Sequence, residues 1–118
     1  MFGTYRKEDV TILLKDITGL VKPLGTQERE ARIQQGTHYS EMLPLEYEPS
    51  QAYLDAYRDA LSRYAGLTAQ ATASAAVQIW ERKGPGVVLV SLARAGTSAG
   101  VLLKRCFRRY YGADVPHY

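Results

Sequence analysis

The chain has 118 residues, a length that suits one ordinary domain with a modest hydrophobic core. Its 15 basic and 12 acidic residues give a net charge of +3, which is too small to indicate a nucleic-acid-binding protein by itself. A single cysteine excludes a disulfide framework within the chain, and no apolar run reaches the roughly 20 residues that span a membrane. These features predict a cytoplasmic protein that binds no membrane.

The first part of the chain, residues 1–49, is predicted to contain little regular structure apart from one polar helix. Residues 8–15 combine an acidic start, a β-branched centre and a basic end, a pattern that fits either a short helix or a strand. Thr26 is a suitable N-cap for a polar helix that stops at Gly36. Residues 37–49 contain two prolines and no helical period, so they are predicted to be extended and irregular.

A long helix is predicted to begin after Ser50, a capping residue, and to run to about Arg82. Seven residues in its first half recur at three- and four-residue steps, which is typical of a helix face that packs against a core. Gly66 lies within this stretch and marks either a bend or a boundary between two helices. The seven residues are Tyr53, Leu54, Tyr57, Leu61, Tyr64, Ala65 and Thr68.

The most informative segment is residues 87–100, where an apolar run leads into a loop of small residues and then into a helix. Residues 87–90 are predicted to form a buried strand, because three of the four are β-branched. The helix continues from Val101 and stops at Gly112, and residues 113–118 are expected to enter a second strand. The pattern predicts an α/β fold, in which N-terminal helices precede a strand–loop–helix unit of a parallel sheet.

The loop in this segment has the composition of an anion-binding site. Backbone N–H groups at the start of a helix point outward, and the helix dipole favours negative charge there. Gly96 and Gly100 allow a positive φ or a close approach of a ligand to the backbone, and Arg94 adds a planar pair of donors. The alternative is an ordinary connector between a strand and a helix. The predicted phosphate-binding residues are Ser91, Arg94, Ala95, Gly96, Thr97 and Ser98.

Cys106 and His38 are the two weak candidates for a catalytic role. Cys106 lies in a basic stretch, the kind of surrounding found around reactive thiols, but its mid-helix position favours a structural role. His38 lies in an irregular segment, where functional side chains concentrate, or it anchors that segment to the core. His117 is interpreted as the edge of a strand. Two histidines about eighty residues apart and one cysteine lack the spacing of metal ligands, so no metal site is predicted.

A basic cluster surrounds the cysteine. Four basic residues on about two helical turns, followed by Tyr110 and Tyr111, could contact a phosphate backbone. A solvated helix face that complements the C-terminal dipole is the favoured alternative. The four residues are Lys104, Arg105, Arg108 and Arg109.

Four blocks of the sequence resemble the bacterial StiP family: residues 5–15, 38–50, 87–100 and 114–118. The sequence His-Tyr-Ser-Glu-Met-Leu-Pro, which opens the second block, is specific. Members of this family are described both as phosphoribosyltransferase-like proteins and as cysteine proteases, and they are associated with tellurium-resistance and stress-response gene clusters. They are several times longer than this chain, so the resemblance implies that the chain is the N-terminal portion of a longer protein.

The resemblance implies a partial phosphoribosyltransferase-like fold in a single domain, made of an N-terminal segment (1–49) and a helix–strand–loop–helix part (50–118). The resemblance implies that residues 91–100 match the pyrophosphate-binding loop of that fold, with residues 92–96 similar to its hydrophobic-x-Arg-Ala-Gly sequence. This loop would hold phosphoribosyl pyrophosphate with Mg²⁺ bridging its oxygens. Loss of pyrophosphate would leave an oxocarbenium-like centre, and electrostatic stabilisation of the leaving group would supply most of the catalysis. The 118 residues alone are expected to be inactive.

Three functions remain open from the sequence. The first is the N-terminal part of a phosphoribosyltransferase-like enzyme that binds a phosphorylated small molecule. The second is a cysteine protease, and the third is a non-catalytic interaction module that associates through an unfinished sheet edge. The expected protein partners are the remainder of a longer polypeptide or a second copy of the chain.

Overall fold

The computed structural model describes residues 4–118, which form three α-helices. These are α1 (Thr26–Gln34), α2 (Gln51–Lys83) and α3 (Ala95–Tyr111), and short 3₁₀ helices occupy Tyr39–Glu41 and Gly84–Gly86. The chain forms two compact units. The smaller unit is Lys15–Asp55, and the larger unit combines Ala56–Tyr118 with the residues up to Leu14.

The predicted α/β fold is wrong, because the described residues contain no β-strand and no sheet. Residues 87–90 are extended, but Leu89 forms only one isolated parallel bridge, with His117. Leu89 N donates to Pro116 O at 2.9 Å, and Tyr118 N donates to Leu89 O at 3.0 Å. A β-branched apolar run favours extended backbone, but a strand also requires a ladder of partners. Residues 87–90 have a single bridge within the described chain, so a strand–loop–helix unit and the partial phosphoribosyltransferase-like fold are not supported.

Helix α2 matches the predicted long helix, and it runs through Gly66 without interruption. Ser50 caps it as predicted, since Tyr53 N donates to Ser50 Oγ at 3.2 Å. The predicted packing of its first half is wrong, because six of the seven residues on the predicted face are exposed. Leu61, for example, is 52% exposed. The core instead contacts the C-terminal part of α2, where Ala76 is 1% exposed.

The core of the larger unit is small. Phe107 on α3 is fully buried at its centre, and Trp80 on α2 packs against it with the ring centroids 5.6 Å apart. The extended residues alternate, with Val87 and Leu89 buried in this core. The buried cluster consists of Ala76, Val87, Leu89, Phe107 and Val115. It fixes the extended segments against α3, which ends at Gly112 in the left-handed conformation (φ 64°), as predicted.

The smaller unit contains α1 and the irregular residues that follow it. Gly36, with φ 94°, follows the end of α1 as predicted. Leu24 forms an isolated parallel bridge with Pro44, and the rest of residues 37–49 is irregular apart from the 3₁₀ helix.

Residues 8–15 form neither the helix nor the strand that their pattern permits, although they include a turn. Of the helices in the described part of the chain, none combines the length and the hydropathy needed to cross a bilayer.

Candidate functional site

The predicted phosphate-binding residues lie together where the extended segment ends and α3 begins. Arg94 is the N-cap of α3, and Arg94, Ala95 and Ser98 are exposed. Ser91, Gly96 and Thr97 are half-buried. Two backbone amides of this turn are bound within it, since Gly96 N donates to Leu92 O at 3.1 Å and Thr97 N donates to Arg94 O at 3.2 Å. The turn is therefore partly closed by its own backbone, and Arg94, Ala95 and Ser98 form its exposed side.

Ser91 connects this turn to a buried histidine. Its Oγ lies 2.7 Å from His117 Nε2 and 3.0 Å from the carbonyl oxygen of Gly96. His117 is 2% exposed, and its Nδ1 lies 2.8 Å from the carbonyl oxygen of Asp9. A carbonyl oxygen only accepts, so Nδ1 is the donor in this contact. The interpretation of His117 as a mere strand edge is wrong, because it joins three distant segments.

Gly100 is required by the same contacts. A Cβ atom at this position would overlap Nε2 of His117 and Oγ of Ser91. At Gly96 the nearest atoms to an added Cβ belong to Ser91, at an ordinary 3.8 Å. Neither glycine adopts a positive φ, because both lie within α3. Gly100 therefore permits a close approach of side chains rather than an unusual backbone conformation.

Asp9 supports His117 from the other side. Its backbone carbonyl accepts from the imidazole, and its carboxylate, on a residue that is 3% exposed, accepts two hydrogen bonds from Arg105. The donor–acceptor distances are 3.0 Å from Nε and 2.6 Å from the terminal nitrogen. The hydrogen bonds from Arg105 hold the pKa of the Asp9 carboxyl below its ordinary value of 3.8, against the opposing effect of burial. A forked ion pair thus ties the segment around Asp9, which contacts His117, to α3.

The basic cluster on α3 is largely engaged inside the larger unit. Lys104 Nζ lies 3.3 Å from Asp114 Oδ1, and Arg108 donates to the same oxygen at 2.7 Å. The hydrogen bonds from Arg108 and then Lys104 lower the pKa of the Asp114 carboxyl. Three of the four cluster residues therefore bind carboxylates of this chain. The fourth, Arg109, lines a cavity between α2 and α3.

Cys106 lies on α3 with its side chain half-buried against the core. It also lines the cavity, which has a volume of about 470 Å³ and is bounded on the α2 side mainly by alanine and threonine residues. Within the described part of the chain, no hydrogen bond joins its sulfur to a histidine. The surroundings of Cys106 are those of a packing residue.

His38 belongs to the other compact unit and is exposed. Its Nδ1 accepts from Ser40 N at 3.3 Å and lies 2.7 Å from Ser40 Oγ, and its ring contacts Tyr39 at a centroid distance of 4.6 Å. All of these partners lie within two residues of His38. The imidazole caps a short 3₁₀ helix, so a local role accounts for its position.

Comparison with known proteins identifies the family of this chain. A family described as "Tellurite-like stress resistance cysteine protease StiP" matches residues 3–118. The chain is 36% identical over 117 residues to a relative from Acinetobacter baylyi named "Cysteine protease StiP". The alignment covers 98% of this chain and 30% of the relative. No solved structure matches the chain.

The chain therefore belongs to the StiP family, as its sequence blocks predicted. It spans about 30% of the length of the curated relative that it matches.

Proposed function

We propose that the turn at residues 91–98 binds the phosphate groups of a small molecule, with a pyrophosphate ester such as phosphoribosyl pyrophosphate as the ligand class. One observation carries this proposal. Ser91 fixes the start of the turn to His117 and to Gly96, while Arg94 and Ser98 remain exposed at the first turn of a 17-residue helix. A rigid support beneath an exposed cation and hydroxyl is the arrangement that anion recognition requires.

The chemistry of the turn fits a phosphate anion. The N-terminus of α3 favours negative charge, and the guanidinium of Arg94 offers paired donors that match phosphate oxygens. Charge-assisted hydrogen bonds of this kind contribute about 1.5–3 kcal/mol each. In a transfer reaction these groups would stabilise the charge that develops on departing pyrophosphate, which is the largest contribution that the turn offers to catalysis.

The same residues do not form a cation site. Residues 91–100 contain no acidic side chain, and residues 4–118 include no cluster of three or more His, Cys, Asp or Glu side chains placed to hold a metal. The ligand itself would carry any Mg²⁺, and the ion would neutralise part of the phosphate charge. Arg94 would then donate to the remaining phosphate oxygens.

The direct test is calorimetric titration of this chain with inorganic pyrophosphate, with and without Mg²⁺. We expect Arg94→Ala to weaken binding by about 10-fold or more, because a forked, charge-assisted contact is lost. Arg82→Ala, which removes an exposed arginine from the last turn of α2, is the matched control and should leave the affinity unchanged. Equal affinities for wild type and Arg94→Ala would refute the assignment to this turn.

The second function under consideration is peptide hydrolysis, which the name of the Acinetobacter baylyi relative favours. Cys106 is the only thiol of this chain, so a protease centred within these residues would depend on it. Its position on α3, against the core, leads us to propose that any proteolytic activity of longer family members uses residues outside this part. We propose that the family acts in the bacterial cytoplasm during stress, including tellurium stress, and that these 118 residues alone turn over no substrate.

Hydrolysis of a quenched fluorescent casein distinguishes the two functions. We expect no turnover by this chain and no effect of Cys106→Ser on pyrophosphate binding. Proteolysis by the wild-type chain that disappears in Cys106→Ser would establish the protease function here and contradict our assignment.

A further inference from the structure

The hydrogen bonds beneath the turn depend on how many protons His117 and Ser91 hold. Three contacts follow one another: Asp9 O to His117 Nδ1 at 2.8 Å, His117 Nε2 to Ser91 Oγ at 2.7 Å, and Ser91 Oγ to Gly96 O at 3.0 Å. The first and last groups of this series, Asp9 O and Gly96 O, are backbone carbonyls, which accept hydrogen bonds and never donate them. Each of the three contacts therefore needs a proton from the imidazole or from the hydroxyl.

A neutral imidazole and a hydroxyl hold two such protons for three contacts. With Nδ1 donating to Asp9 O, the hydroxyl of Ser91 donates either to His117 Nε2 or to Gly96 O, and one contact lacks its proton. An imidazolium adds the third proton. His117 then donates through both nitrogens, and the hydroxyl of Ser91 donates to Gly96 O. Only the protonated histidine satisfies every contact in the observed geometry.

We propose that His117 is a positioning residue whose protonation is coupled to anion binding at residues 91–98; this inference rests on the proposed function. Protonation directs the Ser91 hydroxyl to the carbonyl of Gly96 and thereby fixes the first turn of α3. It also places a buried positive charge beneath the anion. Coupling between two bound species is reciprocal, so the anion raises the proton affinity of His117 as much as the proton raises the affinity for the anion.

The charged groups around His117 agree with this coupling. In the segment around Asp9, whose carbonyl accepts the hydrogen bond from His117 Nδ1, the Asp9 carboxylate is bound by Arg105. On α3, Lys104 is bound to Asp114, which belongs to the same segment as His117. Residues 87–91 carry no charged side chain. The three carboxylates on these segments, those of Glu8, Asp9 and Asp114, already have cationic partners, so an anion at the turn supplies the countercharge for the imidazolium.

The test is a histidine NMR titration of the His38→Gln variant, in which His117 is the only imidazole. The probe is sulfate, whose charge is constant across the range of about pH 5 to 8 in which histidines titrate. We expect the ¹⁵N shifts of the free neutral form to report a proton on Nδ1. We expect saturating sulfate to raise the titration midpoint, and the sulfate affinity to increase about 5-fold or more as His117 becomes protonated.

Two outcomes separate this inference from the proposed function. Sulfate or pyrophosphate binding that leaves the midpoint of His117 unchanged would overturn the coupling and leave the binding site intact. Failure of both anions to bind at any pH would overturn the site and the coupling together.

Serine variants isolate the connection between the histidine and the turn. Ser91→Ala should weaken the pH dependence of sulfate affinity, because the imidazole loses its contact with the turn and only its buried charge still acts on the anion. Ser98→Ala is the matched control, since its hydroxyl donates to Ala95 O within α3 and has no contact with His117. This variant should retain the pH dependence whatever its absolute affinity. If Ser91→Ala only lowered affinity equally at every pH, Ser91 would have a merely structural role.

Discussion

The two histidines of this chain have opposite surroundings. His38 is exposed, and its contacts are with Tyr39 and Ser40, its immediate neighbours in the sequence. His117 is 2% exposed and contacts residues 26 and 108 positions away. The sequence favoured His38, because it lies in an irregular segment beside other polar residues. The structure instead places His117 in the network beneath the predicted binding turn.

The neighbours of His38 are local in the sequence, whereas those of His117 are brought together by the fold. The polar neighbours of His38 are visible along the sequence, and they explain a local cap without implying a long-range contact. The neighbours of His117 come from three segments that tertiary packing brings together. The hydrogen-bond partners of a buried imidazole are therefore set by the tertiary fold. Those of an exposed imidazole are set by the solvent and by its nearest neighbours in the sequence.

The largest effect is expected from removing each imidazole. His117→Ala should reduce the free energy of unfolding by about 2–4 kcal/mol, because it creates a cavity, leaves the Asp9 carbonyl without its donor and removes one of the two partners of the Ser91 hydroxyl. His38→Ala should change it by less than about 0.5 kcal/mol. Urea unfolding of the two variants checks the difference, and equal losses would show that the contrast in burial has no energetic consequence.

A smaller effect is expected from a methyl group added beside His117. Gly100→Ala should cost about 1–3 kcal/mol, because its Cβ overlaps the imidazole and the Ser91 hydroxyl. Gly96→Ala, one turn earlier in α3, meets only an ordinary contact and should stabilise the chain by roughly 0.5–1 kcal/mol. Thermal unfolding of the two variants measures this difference in stability. A neutral Gly100→Ala would indicate that the three contacts can rearrange without cost.

The smallest effect concerns the acid sensitivity of the support for His117. Since Arg105 lowers the pKa of Asp9 in the folded state, the folded chain favours the carboxylate. This stabilisation is present above the ordinary pKa of 3.8 and is lost as the pH falls through the lowered value. Asp9→Asn should therefore be less stable than the wild type at neutral pH, and its stability should fall less as the pH is lowered. Unfolding measured at several acidic pH values checks this, and parallel pH profiles would contradict it.

Local signals identified much of the helical structure. Ser50 and Gly112 were recognised as the residues that begin and end helices, because capping and left-handed conformations depend on the residue itself. Residues 87–90 were recognised as extended, but their assignment as a strand failed because strand formation depends on partners. The face of α2 was also assigned to a core, although helical spacing alone cannot show what covers it.

The support of the site was only partly predictable. Ser91 and the turn were identified from an apolar run that ends in small residues. Asp9 was missed, since its main chain and its side chain act on two different partners and neither is adjacent in sequence. For His117 one signal was usable, namely the two-residue alternation expected of the extended segment at 113–118. The structure shows this alternation, because Val115 and His117 are buried while Asp114 and Pro116 are exposed.

The contact between His117 and Asp9 also bears on the order of folding. The two residues are 108 positions apart, and Thr11 N donates to His117 O beside them at 2.8 Å. Contacts of such separation form late, because the entropy of closing a long loop precedes any gain from the contact. During synthesis the turn at residues 91–98 emerges before the histidine that supports it. The turn at residues 91–98 is therefore expected to become ordered only in the last step of folding.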